Sequence, residues 1–259
     1  MNISKVLMHS IGICSAGIIS GCAGNEDQPR PNIIFIMSDD HAFQAISAYG
    51  NRLNETPNID RIANEGAIFQ KCFVTNSISA PSRAVILTGK FSHLNGKTDN
   101  VGKFNGDQMT FPKYLQQSGY QTAIVGKWHL ESDPQGFDYW NILPGQGNYY
   151  NPDFIEMGEK KRIEGYATTL TTEFALRWLD NRDKTKPFCL LVQHKAPHRN
   201  WLPEEKYLDL YEDMEFAFPE NFFDDYSERG SAAMQQEMEI TADMQWGHDM
   251  KFEQDPYTG

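Results

Sequence analysis

Two stretches of this chain are apolar at nearly every position: Asn32-Ile33-Ile34-Phe35-Ile36-Met37 and Pro187-Phe188-Cys189-Leu190-Leu191-Val192-Gln193. A strand with one wet face alternates polar and apolar residues. An unbroken run implies burial on both faces, the situation of a parallel strand sandwiched between helices. Both runs are therefore expected to be central strands. Between them, Thr56 as a cap, Pro57 behind it, Ile59, Ile62 and Ala63 at helical spacing, and Gly66 as a stop predict a helix. A strand is expected over Ala67–Val74, then a loop at Ser79 and a helix through Leu87. A short helix over Phe111–Gly119, a strand over Tyr120–Val125 and a helix over Thr169–Asn181 follow. Residues 136–165, rich in Gly, Asn, Tyr and Pro, read as a long excursion. From Tyr226 onward the chain is polar, Met-rich and helix-compatible. Strands alternating with helices give an α/β domain with a mostly parallel sheet. The first apolar run stops at Ser38-Asp39-Asp40-His41, which puts two acids at a strand C-terminus, where such sheets gather ligands.

The 259 residues are 40% hydrophobic, enough for a large core, and carry a net charge of −12. That balance argues against nucleic acid and against electrostatic docking on anionic membrane. Any anion site must be built locally from a few cations and backbone N–H groups. At the N-terminus, Lys5 precedes an apolar run from Val6 to Ile19, too short to span a bilayer, so residues 1–21 read as an export signal. Ile19-Ser20-Gly21-Cys22 resembles a bacterial lipobox, with Cys22 as the lipidated first residue and residues 22–30 as a tether. The expected address is an exported lipoprotein, attached to membrane through its lipid alone, with residues 31–259 forming the folded part. Cys72 and Cys189 lie in apolar runs and are expected to be buried thiols.

Chemistry is concentrated in four clusters. Ser79-Ala80-Pro81-Ser82-Arg83 runs into Ala84-Val85-Ile86-Leu87-Thr88-Gly89. A loop entering a helix accounts for the Ser and the Pro, but not for Arg83 together with Leu87-Thr88-Gly89. The segment resembles the maturation motif of type I sulfatases, whose first residue is oxidised to Cα-formylglycine; here that residue is Ser79. Gly126-Lys127-Trp128-His129, at the end of a strand, resembles a second motif of the same family. Asp39-Asp40 is the third cluster: adjacent carboxylates raise one another's pKa unless a cation neutralises them, and all-oxygen ligands suit Ca²⁺. The fourth is Lys195-Ala196-Pro197-His198, in which His198 matches the family's leaving-group histidine. His9, His41, His93, His194 and His248 are expected to be structural.

The similarity covers residues 31–200. It implies an alkaline-phosphatase-like α/β fold, a mostly parallel sheet with helices on both faces, here incomplete because the C-terminal part and its smaller subdomain are missing. By the same resemblance, formylglycine from Ser79 is hydrated and attacks sulfur. Ca²⁺ is held by Asp39, Asp40 and the modified Ser79, and Arg83 favours the attacking oxygen. Lys127 neutralises sulfate oxygens, His198 protonates the departing sugar oxygen, and His129 assists regeneration of the aldehyde. Serine in place of cysteine at position 79 implies a radical-type, oxygen-independent maturation enzyme as partner. The family's later metal ligands and further active-site lysine have no match before Gly259, so the chain reads as truncated and the ion as under-coordinated. Segments 143–152, 188–203 and 218–226 look like those of carbohydrate sulfatases from gut-type bacteria. They imply a sulfated carbohydrate substrate, of the N-acetylglucosamine-6-sulfate type in glycosaminoglycan or mucin glycans. Two alternatives stay open: a phosphoesterase of the same superfamily with unmodified Ser79, and a non-catalytic lipoprotein that binds sulfated glycan.

Overall fold

The computed structural model describes residues 30–50 and 53–251; the expected export signal, the expected lipidation site at Cys22 and the expected tether up to residue 29 lie outside the described residues. Strands β1 (Ile33–Met37), β2 (Gln121–Lys127), β3 (Tyr139–Leu143), β4 (Asp153–Glu156), β5 (Glu159–Arg162) and β6 (Phe188–Gln193) form one sheet in the order β1-β6-β2-β3-β4-β5. The first four in that order are parallel, and β4 and β5 are antiparallel additions. The helices are α1 (Pro57–Glu65), α2 (Ser79–Thr88), α3 (Ser92–Asn95), α4 (Phe111–Gln117) and α5 (Ala167–Asn181), followed by single turns α6 (Ser231–Met234) and α7 (Ile240–Asp243). None of the described helices is long and apolar enough to cross a membrane.

Strand β6 is buried along its whole length, as its composition requires. Its odd and even residues feed two cores. Cys189 and Leu191 join Ile124, Trp140 and Ile142 beneath Ala80, Ala84 and Leu87 of α2, with Phe111 and Leu115 of α4 packed alongside. Leu190 and Val192 join Ala123, Val125, Leu143 and Phe154 beneath Leu170, Phe174 and Ala175 of α5. Helices thus cover both faces, and each buried aliphatic side chain contributes about 1.5–3 kcal/mol.

Strand β1 departs from expectation. It lies at the sheet's edge, and Ile34 and Ile36 are 52% and 59% exposed. The face carrying Ile33 and Phe35 packs on the α2 core, whereas α5 packs mainly over β2 and β6. The strand expected over Ala67–Val74 does not form: these residues are irregular and exposed, Phe69 and Phe73 prominently so. Apolar content cannot make a strand without a neighbour to take its backbone hydrogen bonds, and among the described residues no strand pairs with this segment. Cys72 is accordingly exposed rather than buried, while Cys189 is buried as expected. The excursion at 136–165 is also corrected, since it contains β3, β4 and β5. Met157 and Gly158, both at positive φ (49° and 94°), turn the β4–β5 hairpin in the manner that matches strand twist. β5 (Glu-Lys-Lys-Arg) is wholly exposed, and its charges guard the sheet's other edge. Downstream of Tyr226 the expected helix is limited to the single turns α6 and α7.

Candidate active site

Because β1, β6 and β2 are adjacent and parallel, their C-terminal ends share one edge of the sheet. That edge receives Asp39 and Asp40 after β1, Lys127 and His129 at the end of β2, and Lys195 and His198 after β6. The β6 loop is tied to the β1 loop by Asp39 N–H donating to Ala196 O at 3.1 Å. Ser79 opens α2 at the same edge, and Arg83, one turn later, lies on the same helix face. The helix closes at Gly89, whose φ of 65° and N–H bond to Val85 O (2.8 Å) make an αL cap. The terminal Gly of the Ser79 segment is therefore a helix stop. Gly126 has a different reason: its φ is +95°, and a Cβ there would stand 2.0 Å from Gln193 O of the neighbouring strand.

Arg83 is the hub, with 2% of its surface exposed. Nε donates to Ser79 Oγ (3.2 Å), NH2 to Asp39 Oδ2 (3.2 Å), and NH1 to Lys127 O (2.7 Å) and Gln193 Oε1. Lys127 Nζ donates to the same Asp39 oxygen. His129 Nδ1 meets Ser79 Oγ at 3.1 Å, and the Gln146 side-chain amide reaches His129 Nε2 at 3.3 Å, which leaves Nδ1 to the hydroxyl. Asp40 and His129 hold positive φ angles of 55° and 54°, strained backbone of the kind that collects at functional sites.

The charges set one another's protonation. Burial alone pushes the Asp39 carboxyl up, but the Lys127 hydrogen bond and charge and the Arg83 charge reverse this and hold it below the usual range. Burial pulls Lys127 down to about 8 and Arg83 to about 10, with Asp39 opposing both. His129 falls to about 4, through burial first and then repulsion from Lys127 and Arg83, so the imidazole is neutral at pH 7. A neutral imidazole on a hydroxyl, flanked by two cations, is suited to proton exchange at that oxygen while an anion is held beside it.

His198, with Asp40 the last of the predicted site residues, adjoins this network. His198 Nε2 lies 3.5 Å from Asp40 Oδ2, and its Nδ1 donates to Arg199 O at 2.5 Å. Of the residues expected to be structural, His41 bonds Ser38 (2.9 Å), His93 stacks on Phe91 and His248 contacts Asp249 (3.0 Å); His9 lies outside the described residues. Sequence reasoning missed Gln193 and Gln146 and gave no role to Lys195, which opens the fourth cluster; Tyr149, read from sequence as either a sugar-stacking or a core residue, is buried. Lys195 is buried with Nζ 4.7 Å from the centre of the Tyr149 ring, and Tyr149 OH donates to His198 O at 2.5 Å. Gln193 left one signal, a polar residue closing an otherwise apolar strand. Gln146, between two glycines in a loop, left none.

A hard divalent ion fits this site in kind but not in number. Asp39, Asp40 and an oxygen on residue 79 are all-oxygen donors, whereas Ca²⁺ takes about six to eight. Among the described residues, no group of three or more His, Cys, Asp or Glu side chains could hold a metal ion.

The sulfatase family model matches residues 31–230. An N-acetylglucosamine-6-O-sulfatase from Bacteroides thetaiotaomicron is 57% identical over 227 residues, covering 86% of this chain and 41% of the relative. Human N-acetylgalactosamine-6-sulfatase is 37% identical over 217 residues, covering 68% of this chain and 41% of that protein. The solved structure of BT4656 in complex with its substrate, D-glucosamine-2-N,6-O-disulfate, superposes with a TM-score of 0.83 at 57% identity, covering 86% of this chain and 46% of that one. The chain thus spans less than half the length of these relatives.

Proposed function

Because this chain belongs to the sulfatase family, we propose that it carries the nucleophile side of an enzyme hydrolysing sulfate esters on carbohydrate, with N-acetylglucosamine 6-sulfate as the substrate type. One observation carries the reading. Ser79 Oγ is bonded at once by a buried guanidinium and a neutral imidazole, with a buried ammonium sharing the guanidinium's carboxylate partner. That is a cradle for an anion next to a nucleophilic oxygen. The substrate type rests on the 57% identity to the Bacteroides relative, whose name carries that sugar.

In this scheme Arg83 and Lys127 balance the charge of the sulfate oxygens and of the attacking oxygen on residue 79. Their burial makes each attraction stronger than it would be in water. His129 exchanges a proton with that oxygen through Nδ1. His198 keeps Nδ1–H on the Arg199 carbonyl and presents Nε2 to the departing sugar oxygen, a general-acid role typically worth about 10²–10⁴ in rate. The formylglycine derived from Ser79 supplies, once hydrated, a second hydroxyl by which sulfate is expelled, which a plain serine lacks. Asp39 and Asp40 would hold Ca²⁺ together with further oxygen ligands, and the ion would lower the cost of negative charge on residue 79. A radical-type maturation enzyme acting on Ser79, and export with lipidation at Cys22, complete the proposal.

The test is mass spectrometry of the peptide spanning Ser79 from protein made in a host with the maturation enzyme, together with turnover of N-acetylglucosamine 6-sulfate by the full-length protein. A loss of two hydrogens at Ser79, and no turnover by a folded Ser79→Ala variant, are the expected results. Unmodified serine in an active phosphoesterase, or in an inactive binder of sulfated glycan, would replace the reading.

A further inference from the structure

The segment after α7 returns to the loop that carries His198, and nothing in the scheme above uses it. Its centre is Asp249, whose side chain has no exposed surface. Arg199 donates to it twice, Nε to Oδ1 and NH2 to Oδ2, each at 2.5 Å. The same carboxylate accepts the Gln245 N–H at 2.9 Å and contacts His248 Nδ1 at 3.0 Å. A forked pair of this kind fixes direction as well as distance, because the guanidinium is planar and both N–H groups must meet their oxygens. The carboxylate is thus fully engaged by residues 199 and 245–249.

What this fork holds in place is the backbone of Arg199. Its carbonyl oxygen accepts from His198 Nδ1 at 2.5 Å and from Lys195 Nζ at 3.5 Å. A second clasp acts beside it, Lys251 Nζ donating to the carbonyls of Asn200 and His248. We infer that Asp249 is a positioning residue for His198: by locking Arg199 it sets the carbonyl that holds His198 Nδ1–H, and so aims Nε2 toward Asp40 and the departing oxygen. The inference rests on the reading of His198 as the leaving-group acid. The side-chain partners of Asp249 are Arg199, the Gln245 N–H and His248, none of them a motif residue, so its effect on His198 would pass through Arg199.

The test uses the matured full-length protein and two substrates, N-acetylglucosamine 6-sulfate, whose alkoxide leaves poorly, and 4-nitrophenyl sulfate, whose phenolate leaves without help. His198→Ala is measured first. If it slows both substrates equally, the acid reading fails, and this inference with it. Given a His198 effect confined to the sugar, Asp249→Asn should lower kcat on the sugar about 10²-fold, the cost of misplacing a reacting group by roughly 1 Å. KM and the nitrophenyl rate should change less than about threefold, a split that a general loss of structure would not produce. Asp249→Glu, which keeps the fork, should recover most of the rate. The crystal structure of Asp249→Asn should show the Arg199 carbonyl turned away from His198. Unchanged sugar kcat, or equal losses on both substrates, overturns the inference. Should Asp249→Asn fail to fold, Arg199→Lys is decisive, because it keeps the charge and loses the fork. The same substrate-dependent loss is expected there, and its absence overturns the inference equally.

Discussion

Replacing Arg83 with Met is the most demanding test of the site, because one buried side chain joins four partners, from the loop after β1, from β2, from β6 and from α2. Methionine keeps the length and removes every donor. Asp39, 7% exposed, would lose one of its two cations and keep Lys127. Breaking a buried ion pair from one side costs about 3–5 kcal/mol, and the surviving Lys127 contact places this case at the lower end. Lys127 O and Gln193 Oε1 would lose the donor that both receive from NH1. A buried acceptor left bare costs about 1–3 kcal/mol. These terms share one side chain and do not add, so a loss of about 4 kcal/mol is expected, a large part of the roughly 5–15 kcal/mol that holds a domain together. Arg83→Lys retains a charge but cannot span three elements, and about half that loss should follow. The assay is urea unfolding of the full-length protein at fixed calcium, comparing midpoints at equal slopes. A loss below about 1 kcal/mol for Arg83→Met would refute the claim that this guanidinium ties the strand ends together, since surface arginines behave in that way.

Three further outcomes follow from the same geometry. Gly126→Ala places a methyl 2.0 Å from Gln193 O at a φ of +95°, so β2 and β6 must separate at the ends that carry Lys127 and Lys195; a melting-point drop of several degrees and loss of turnover are expected, and a neutral effect would disprove the close approach. His129 is lowered in the folded state from 6.5 to about 4, so the unfolded chain binds more protons across that window. Stability should therefore rise with pH from about 4 to 6.5 and flatten above it, and His129→Gln should flatten that slope in pH-dependent urea melts. If Asp39 and Asp40 hold Ca²⁺, chelation of the full-length protein should remove about 2.7 kcal/mol of stability when the ion had been at a hundredfold excess over Kd, read as a lower melting temperature, and Asp39→Asn should abolish that response.

The parallel core of the sheet was legible because β6 carries no polar residue before Gln193, and because the strand at Tyr120–Val125 follows a helix stop at Gly119 and a helix-like stretch over Thr169–Asn181 precedes β6. What failed was the environment of each element. The apolar run at β1 predicted burial on both faces, yet Ile34 and Ile36 face outward, since burial depends on what lies beyond the strand and not on its own composition. Ala67–Val74 failed for the same cause: a strand is a pairing, and the sequence does not state the partner. β3 to β5 were hidden for a different reason. They are four or five residues long and one is Glu-Lys-Lys-Arg, so no apolar alternation marks them.

The site divides along similar lines. Asp39, Ser79, Arg83, Lys127, His129 and His198 could be found because each stands in a short contiguous motif or at the end of a strand. Gln193, Gln146, Lys195 and Asp249 act through contacts that join distant parts of the chain, such as the 110-residue separation between Arg83 and Gln193. Such residues set how the motif residues behave. Burial, then Lys127 and Arg83, lower the proton affinity of His129, and Lys127 itself is restrained by Asp39 from the loop after β1. A motif thus names the reacting groups, while their protonation states belong to the assembled strand edge. The Arg83 variants probe that distinction, because they leave every other motif residue intact and remove only what binds them to each other.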